Sequence, residues 1–444
     1  MNRFLPKWQV RFGCCIFAVA AQSACLYAQT PSSPPTPVHT AAQQTMTWDE
    51  VKTRFQTANP TLKADALNVD EMRAEEITAN LRPNPTLSFT EDQMYPFAPH
   101  IDPNTNTTNY RPFTDALTSG SISYLHEREH KRELRLESAQ EGTRIAGSLH
   151  EDLQRNLMYN LRVAFVQTLE AKSVLELAKA DLDYYDHIIS ISQDRFKAGD
   201  LAQIDLDRIE LLRVQYESEI EAATVNLRSQ KIALLQMLDD RTPVDKFDVT
   251  GPFDFADTLQ PLNDFEQSAL QARPDLEAAL QSVLQAKTNF KLAKANGSAD
   301  PTFAVDSGAN PPLPTYVGVN ISVPIRIFDR NQGEKKRTQI DIERNQQLTE
   351  AARAQVFSDV DNAYEQVRSA GTLLKPYRDK YRAQATRVRD TVTYSYQHGG
   401  ASLMDFLNAQ SDYRTVQLAY LQLVGTYMTA AAQLNLAVGR EVIQ

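Results

Sequence analysis

The feature that most constrains this chain is a heptad seam near its C-terminus. From Leu403 to Ala437, apolar or small residues recur at alternating intervals of three and four: Phe406, Ala409, Tyr413, Val416, Tyr420, Leu423, Tyr427, Ala430, Leu434 and Ala437. A strict seven-residue repeat lags the natural pitch of an α-helix, so the helix must supercoil left-handedly to keep its seam on a neighbour. One long helix over 403–437 is therefore predicted, and it cannot stand alone. Two hundred positions earlier the seam recurs as Leu206, Ile209, Tyr216, Ile220, Ala223, Leu227, Leu234 and Met237, interrupted only by Arg213 and Gln230.

The approaches to the two seams match at the same offset. Arg195-Phe196-Lys197-Ala198-Gly199-Asp200 precedes the first and Ser395-Tyr396-Gln397-His398-Gly399-Gly400 the second, so each Gly marks a helix end and a turn into the next helix. Each half of the chain thus contains a long helical hairpin.

A mean hydropathy of -0.43 and only 15 glycines in 444 residues favour long amphipathic helices over compact α/β layers. No run of 18 apolar residues follows the N-terminus, and no helical membrane span is expected. Residues 1–28 read as a secretory signal, with Arg3, Lys7 and Arg11 ahead of a short apolar stretch from Phe12 to Ala21. Cys14, Cys15 and Cys25 all lie within it, so the exported body carries no disulfide framework. Cys25 is the residue that would carry a lipid. Gln22 stands where lipoprotein signals favour Leu, which favours cleavage near Ala28 instead. The net charge of -10 becomes -13 without the three signal cations, so a basic nucleic-acid footprint is absent.

Residues 29–46, rich in Pro, Ser and Thr, read as a flexible lead-in. Thr47-Trp48-Asp49-Glu50 fits a capping box that opens a first helix, which pauses at Asn59-Pro60 and runs on to Leu81. The second half repeats this from Leu262, with a pause at Arg273-Pro274 and an end near Asn296. Two repeats follow, 47–242 and 262–439, joined by a segment over 243–261 and ending in a tail over 440–444.

After each proline, Asn84-Pro85-Thr86-Leu87-Ser88-Phe89 and Asp300-Pro301-Thr302-Phe303-Ala304-Val305 alternate with the period of a strand. The returning strand is clear in Val317, Val319, Ile321, Val323 and Ile325, and weaker in Gly120, Ile122 and Tyr124. Between the first pair of strands, roughly Met94 to Thr114 reads as a long exposed loop. Ile122 to Gly199 spans 77 residues and Ile321 to Gly399 spans 78. A helix of about 60 residues in each interval would reach ~90 Å, too long for a globule. Four strands have open edges, and lipid tolerates only closed structures, so several copies must close a barrel together.

This order of elements resembles the outer-membrane efflux factors of the TolC family, and Leu81-Arg82-Pro83-Asn84-Pro85 is similar to the heavy-metal branch typified by CzcC. The resemblance runs from Thr47 to Gly439 and includes the strand-to-helix passage Val323 to Gly333. The first-half counterpart, Tyr124 to Arg132, lacks the usual glycines. It implies a mainly α fold with a membrane β-barrel contribution: duplicated long helical hairpins forming a trimeric α-barrel, plus a 12-stranded β-barrel with four strands per subunit. The implied function is a passive outer-membrane exit duct, set in outer-membrane lipid with a large periplasmic part. The implied partners are two further copies, a periplasmic adaptor (membrane fusion) protein and an inner-membrane pump of the resistance-nodulation-division type. The cargo of the CzcC branch would be heavy-metal cations. No cofactor and no catalytic residue are implied.

The same resemblance implies site residues. Asp405 and Asn408 match a pore constriction at which the family has two aspartates. Asp205 and Tyr396 match a gate link between hairpins, while Ala401 replaces the family's gate arginine. Arg195, Gly199, Gly399 and Gly400 lie in the turns that would dock the adaptor.

Other readings compete. His126-Glu127-Arg128-Glu129-His130 satisfies the HExxH zinc peptidase pattern. Its charged surroundings and its place between strand and helix favour a solvated first helical turn over a secreted zinc hydrolase. A periplasmic coiled-coil adaptor would explain export and heptads, but not two hairpins with spanning strands. Tyr413, Tyr420 and Tyr427 read as seam packing rather than a ligand-stacking surface. For Asp205 and Asp405, the ordinary role is a favourable charge at a helix N-terminus.

Overall fold

The computed structural model describes residues 44–92, 97, 99–109, 116–255, 259–309 and 314–443. The signal segment, Cys25, most of the lead-in and parts of the 94–114 loop lie outside the described residues. The first repeat runs β1 (Gln44–Met46), α1 (Trp48–Ala58), α2 (Pro60–Ala79), β2 (Thr86–Asp92), β3 (His100–Ile101), β4 (Thr108–Asn109), β5 (Leu117–Leu125), α3 (Lys131–Ala198) and α4 (Gln203–Met237). The connecting segment carries a 3-10 turn (Val244–Lys246) and β6 (Phe247–Val249). The second repeat runs α5 (Leu262–Ala272), α6 (Pro274–Ala295), β7 (Thr302–Ala309), β8 (Tyr316–Ser322), α7 (Gln332–Pro376), a π-helical turn (Tyr377–Tyr381), α8 (Arg382–Gln397) and α9 (Leu403–Val438).

The helix starts follow local chemistry. The Glu50 carboxylate accepts the Thr47 backbone N–H at 2.7 Å and its hydroxyl at 3.0 Å, opening α1. Proline sits at the first position of α2 and of α6, where a missing N–H costs nothing. At the first break, Asn59 caps α2 by accepting from Thr61 N at 2.9 Å and Leu62 N at 3.1 Å, and donates to the Met237 carbonyl at 3.0 Å. At the second, Arg273 donates to Asp275 at 3.0 and 2.6 Å, to Asp359 at 2.8 Å and to the Ala437 carbonyl at 3.4 Å. Each break is thus tied to the end of its own repeat's last helix.

One antiparallel sheet joins the repeats, in the order β2-β5-β7-β8. Its register places Leu87, Ile122, Val305 and Val319 in one row across all four strands, with Phe89 and Val317 in the next. This face is exposed, up to 79 % for Phe89 and 78 % for Val319. Ser88, Ser121 and Asp306 form a row on the opposite face, with Gly318. Apolar residues facing outward and polar ones facing inward make a barrel wall and not a soluble sheet. β2 and β8 remain its open edges.

Buried residues form one cluster per repeat and a third at the hairpin tips. The first gathers Phe55, Phe165, Leu234 and Phe247, the second Phe265, Val360, Leu374 and Leu434, and the third Tyr185, Ile209, Tyr396 and Phe406.

Three expectations need correction. Gln44–Met46 belongs to a strand, not to a flexible lead-in, because it pairs in parallel with Phe247–Val249. The second repeat's long helix is interrupted, since Pro376 lacks an N–H and crowds the preceding turn, and a π-helical turn follows it. The HExxH segment precedes the helix that begins at Lys131 and is not its first turn. Glu129 and His130 take left-handed conformations (φ 57° and 56°), so the two histidines do not share a helical turn. The missing first-half glycines have no backbone consequence: His130 enters α3 at φ 56° just as Asn331 enters α7 at φ 61°.

Candidate functional site

Both hairpin turns close the same way. Gly199 and Gly399 take φ 84° and 75°, a conformation that costs glycine least. The next residue's amide bonds back, Asp200 N to Arg195 O at 2.9 Å and Gly400 N to Ser395 O at 2.7 Å. Arg195 binds the turns together: it donates to the Tyr396 carbonyl at 2.7 Å and to the Asp200 carbonyl at 3.4 Å, and its guanidinium lies 5.0 Å from the Tyr396 ring. This makes Arg195 a structural staple between repeats.

Past the turns the repeats diverge. Ser402 caps α9 by accepting from Asp405 N at 3.1 Å, while the Asp405 carboxylate accepts the Ser402 hydroxyl at 2.7 Å and its N–H at 3.2 Å. Those bonds lower the Asp405 pKa, so it is ionised at neutral pH. Asp405 and Asn408 are both exposed, and exposed Asp412 and Thr415 continue the same stripe at intervals of four and three. Ala202 at the start of α4 offers no such cap, and Asp205 bonds to it only through its backbone N–H, at 3.1 Å.

The hydrogen bond expected between Asp205 and Tyr396 is not made within the protomer. Tyr396 is 2 % exposed, its ring is stacked on Phe406 at 5.1 Å, and its hydroxyl has no partner. Packing of the ring in the tip cluster decides its position. Instead, the Tyr184 hydroxyl meets the Thr393 hydroxyl at 2.8 Å, joining α3 to α8.

Above the tip, arginines cover the tyrosines of the seam. Arg389 lies 3.9 Å from the Tyr413 ring and 4.6 Å from Tyr184, and Arg382 lies 3.9 Å from Tyr420. Arg382 and Arg389 are seven apart, as are Tyr413 and Tyr420, so antiparallel helices bring them into register. That shared spacing of seven is visible in the sequence. Tyr427 meets Phe255 edge-on at 4.7 Å, so the tyrosine line is packing. Arg213, which interrupts the first seam, reaches across to Asp186 on α3 at 2.6 and 3.1 Å. Asp181 is buried nearby; burial pushes its pKa up to about 6, with Arg414 and Arg389 acting against the rise.

The protomer is laterally incomplete. α4 packs on α3, α3 on α9, and α9 on α8, leaving α4 and α8 as outer helices. α4 turns outward Ile204, Leu211, Val214, Val225 and Ile232, each 54–71 % exposed. Four of these fall on a seven-residue spacing or its double, the signature of a further seam. On the other side Tyr381, Val388 and Tyr394 are exposed. Sheet edges and helix edges therefore both call for neighbours.

Around the HExxH segment, Glu127 pairs with Arg135 at 2.5 and 2.9 Å and Arg128 N donates to Asp300 at 2.9 Å. Lys131, almost fully buried, holds Asp300 at 2.6 Å and the Ser298 carbonyl at 2.8 Å. These residues lock the strand-to-helix passage of the first repeat onto the helix-to-strand passage of the second, and no cluster of metal-ligating side chains occurs among the described residues.

Residues 266–440 match the family described as outer membrane efflux protein. The chain is 22 % identical over 348 residues to the pyoverdine export outer membrane protein OpmQ of Pseudomonas aeruginosa, covering 76 % of this chain and 72 % of that one. It is 21 % identical over 315 residues to the cobalt-zinc-cadmium resistance protein CzcC of Cupriavidus metallidurans, covering 70 % and 74 %. The fold is similar to that of the solved structure of CusC, with a TM-score of 0.72 at 16 % identity, over 92 % of this chain and 99 % of that one. Residues 266–440 thus carry the match to the outer membrane efflux protein family, and the fold of the described chain is that of the TolC-like channels.

Proposed function

We infer that this chain is one protomer of an outer-membrane exit duct, through which substrate delivered by an inner-membrane pump and a periplasmic adaptor passes to the outside. The observation that carries this reading is the four-stranded sheet, apolar on one face and polar on the other, with open edges above helices that are open at their own edges. Lipid requires those strands to be closed, and three copies give twelve. The protein is a conduit and not a catalyst. Outer-membrane fractions washed with high salt should retain it, and native mass measurement in mild detergent should give a trimer. A monomer that washes off overturns the reading.

The exposed Asp405, with Asn408 one turn on, forms the constriction in this reading. Three carboxylates around a narrow mouth concentrate cations. Asp405→Asn should lower cation preference in planar bilayers and leave trimer yield unchanged. Asp205 and Tyr396 are the residues the resemblance assigns to a gate link; the Tyr396 hydroxyl is buried in the tip cluster, so a link to a neighbouring hairpin requires that ring to turn outward on assembly. The turns at Arg195, Gly199, Gly399 and Gly400 form the adaptor-docking end. Photocrosslinkers placed there should capture a periplasmic protein. Heavy-metal cations are the cargo we propose, on the Arg82-Pro83-Asn84-Pro85 motif and the similarity to CzcC. Unchanged tolerance to divalent metals on gene deletion, with a new sensitivity to organic compounds, rejects that cargo.

A further inference from the structure

Away from the tip and the barrel wall, a cavity of about 820 Å3 lies where α1, the middle of α3, the end of α9 and the C-terminal tail converge. That volume suits a drug-sized molecule. Its apolar lining includes Met158, Phe165, Met428, Leu436 and Ile443. Two of its charges are already paired: Lys52 with Glu441 at 2.8 Å across the mouth, and Arg155 with Asp152 at 2.5 Å.

Arg162 differs from both. It lines the cavity with its guanidinium 4.5 Å from the Trp48 ring, and it makes no hydrogen bond or ion pair among the described residues. Burial lowers its pKa, while Glu441 and Asp49 act from a distance to support the charge. It remains a cation at neutral pH, because arginine does not lose its proton in proteins. A half-buried guanidinium seated over an indole ring and bonded to no other described residue keeps its donors available, and that fork matches a carboxylate bidentately. The lining also carries Asp49, Glu151 and Arg440, so its four cations outnumber its three carboxylates, and the complementary ligand is an anion carried on an apolar body.

We propose that this cavity binds a small amphipathic monocarboxylate, its acid group on Arg162 and its apolar body against Phe165, Met158 and Met428. The lining residues all belong to one protomer, and none of them is among the tip residues or the sheet strands. It depends on neither trimer gating nor the choice of cargo.

Trp48 reports on the site directly. The sequence has two tryptophans, and the other, Trp8, lies in the signal segment. Titrating the purified, assembled protein with 4-phenylbutyrate should change Trp48 emission saturably, and the uncharged 4-phenylbutyramide should bind at least tenfold more weakly. Arg162→Gln should weaken the acid at least tenfold and leave the amide within twofold. Arg162→Lys keeps the charge without the fork, so a loss of at least threefold is expected; it serves if Arg162→Gln does not assemble. Equal binding of acid and amide, no saturable response, or wild-type affinity in either assembled variant overturns the proposal.

Discussion

The two repeats solve the same mechanical problem with different parts. Each must break its first helix before a proline and anchor that break to the end of its last helix. The first repeat uses Asn59, whose one amide group caps two backbone N–H groups and reaches Met237. The second uses Arg273, 5 % exposed at its side chain, which holds two carboxylates as well as the Ala437 carbonyl. The long helices differ too: α3 runs unbroken for 68 residues, while its counterpart is divided at Pro376. Duplication therefore preserved the architecture and not the interactions. Backbone geometry is the constrained quantity, and side chains of different chemistry can satisfy it.

The largest expected effect tests the hinge pair. Arg273→Ala takes from Asp275 and Asp359 their shared arginine, leaving Asp275 with Arg155 at 3.7 Å and Asp359 with the Gln355 amide, and removing one member of a buried ionic network costs about 3–5 kcal/mol. Both carboxylates are partly exposed, so the lower end of that range is expected. Asn59→Ala removes a cap and should cost about 1–2 kcal/mol. Thermal midpoints of the assembled variants rank the two, and equal losses would break the proposed difference between ionic and neutral hinges.

Acid sharpens the same comparison. Burial alone would raise the Asp275 pKa, but the bonds and charge of Arg273 more than offset it, so the folded pKa is depressed. A depressed carboxylate contributes stability that is present above its unfolded pKa, near about 3.9, and lost as pH falls through the folded value. Below about pH 4 the destabilisation by Arg273→Ala should therefore shrink, while that by Asn59→Ala should stay constant, as no titrating group takes part. Midpoints measured across about pH 3 to 7 check this.

The smallest expected effect concerns the divided helix. An interior proline costs about 3 kcal/mol, and the π-helical turn already relieves part of it. Pro376→Ala should return only about 1 kcal/mol. Amides of 377–381 should gain hydrogen-exchange protection, with no change over the matching stretch of α3. A gain of equal size in both would mean that the interruption is not set by Pro376.

The long helices and the breaks at Asn59 and Arg273 were legible in the sequence because they rest on local signals: heptads, capping residues and X-Pro steps. The strand alternation was legible for the same reason, since apolar residues at period two name a face without naming the partner strand. The interactions at the tip were much less so. Tyr396 and Asp205 stand at suggestive positions, yet ring stacking on Phe406 places the phenol where its hydroxyl meets nothing in the protomer. The Arg382 and Arg389 pairs are not legible in either helix alone, because a register between two helices is a property of both.

By itself, the sequence determined the duplicated order of elements and the need for neighbours, because periodicity and capping act over a few residues along one segment. Only the tertiary structure decided which charges meet. Lys131 with Asp300, Arg273 with Asp359 and Arg195 with the Tyr396 carbonyl join positions 169, 86 and 201 residues apart. The same holds for the unpaired Arg162 beside Trp48. A side chain's partner depends on where several distant backbones converge, and the local pattern around any one of them carries no record of that.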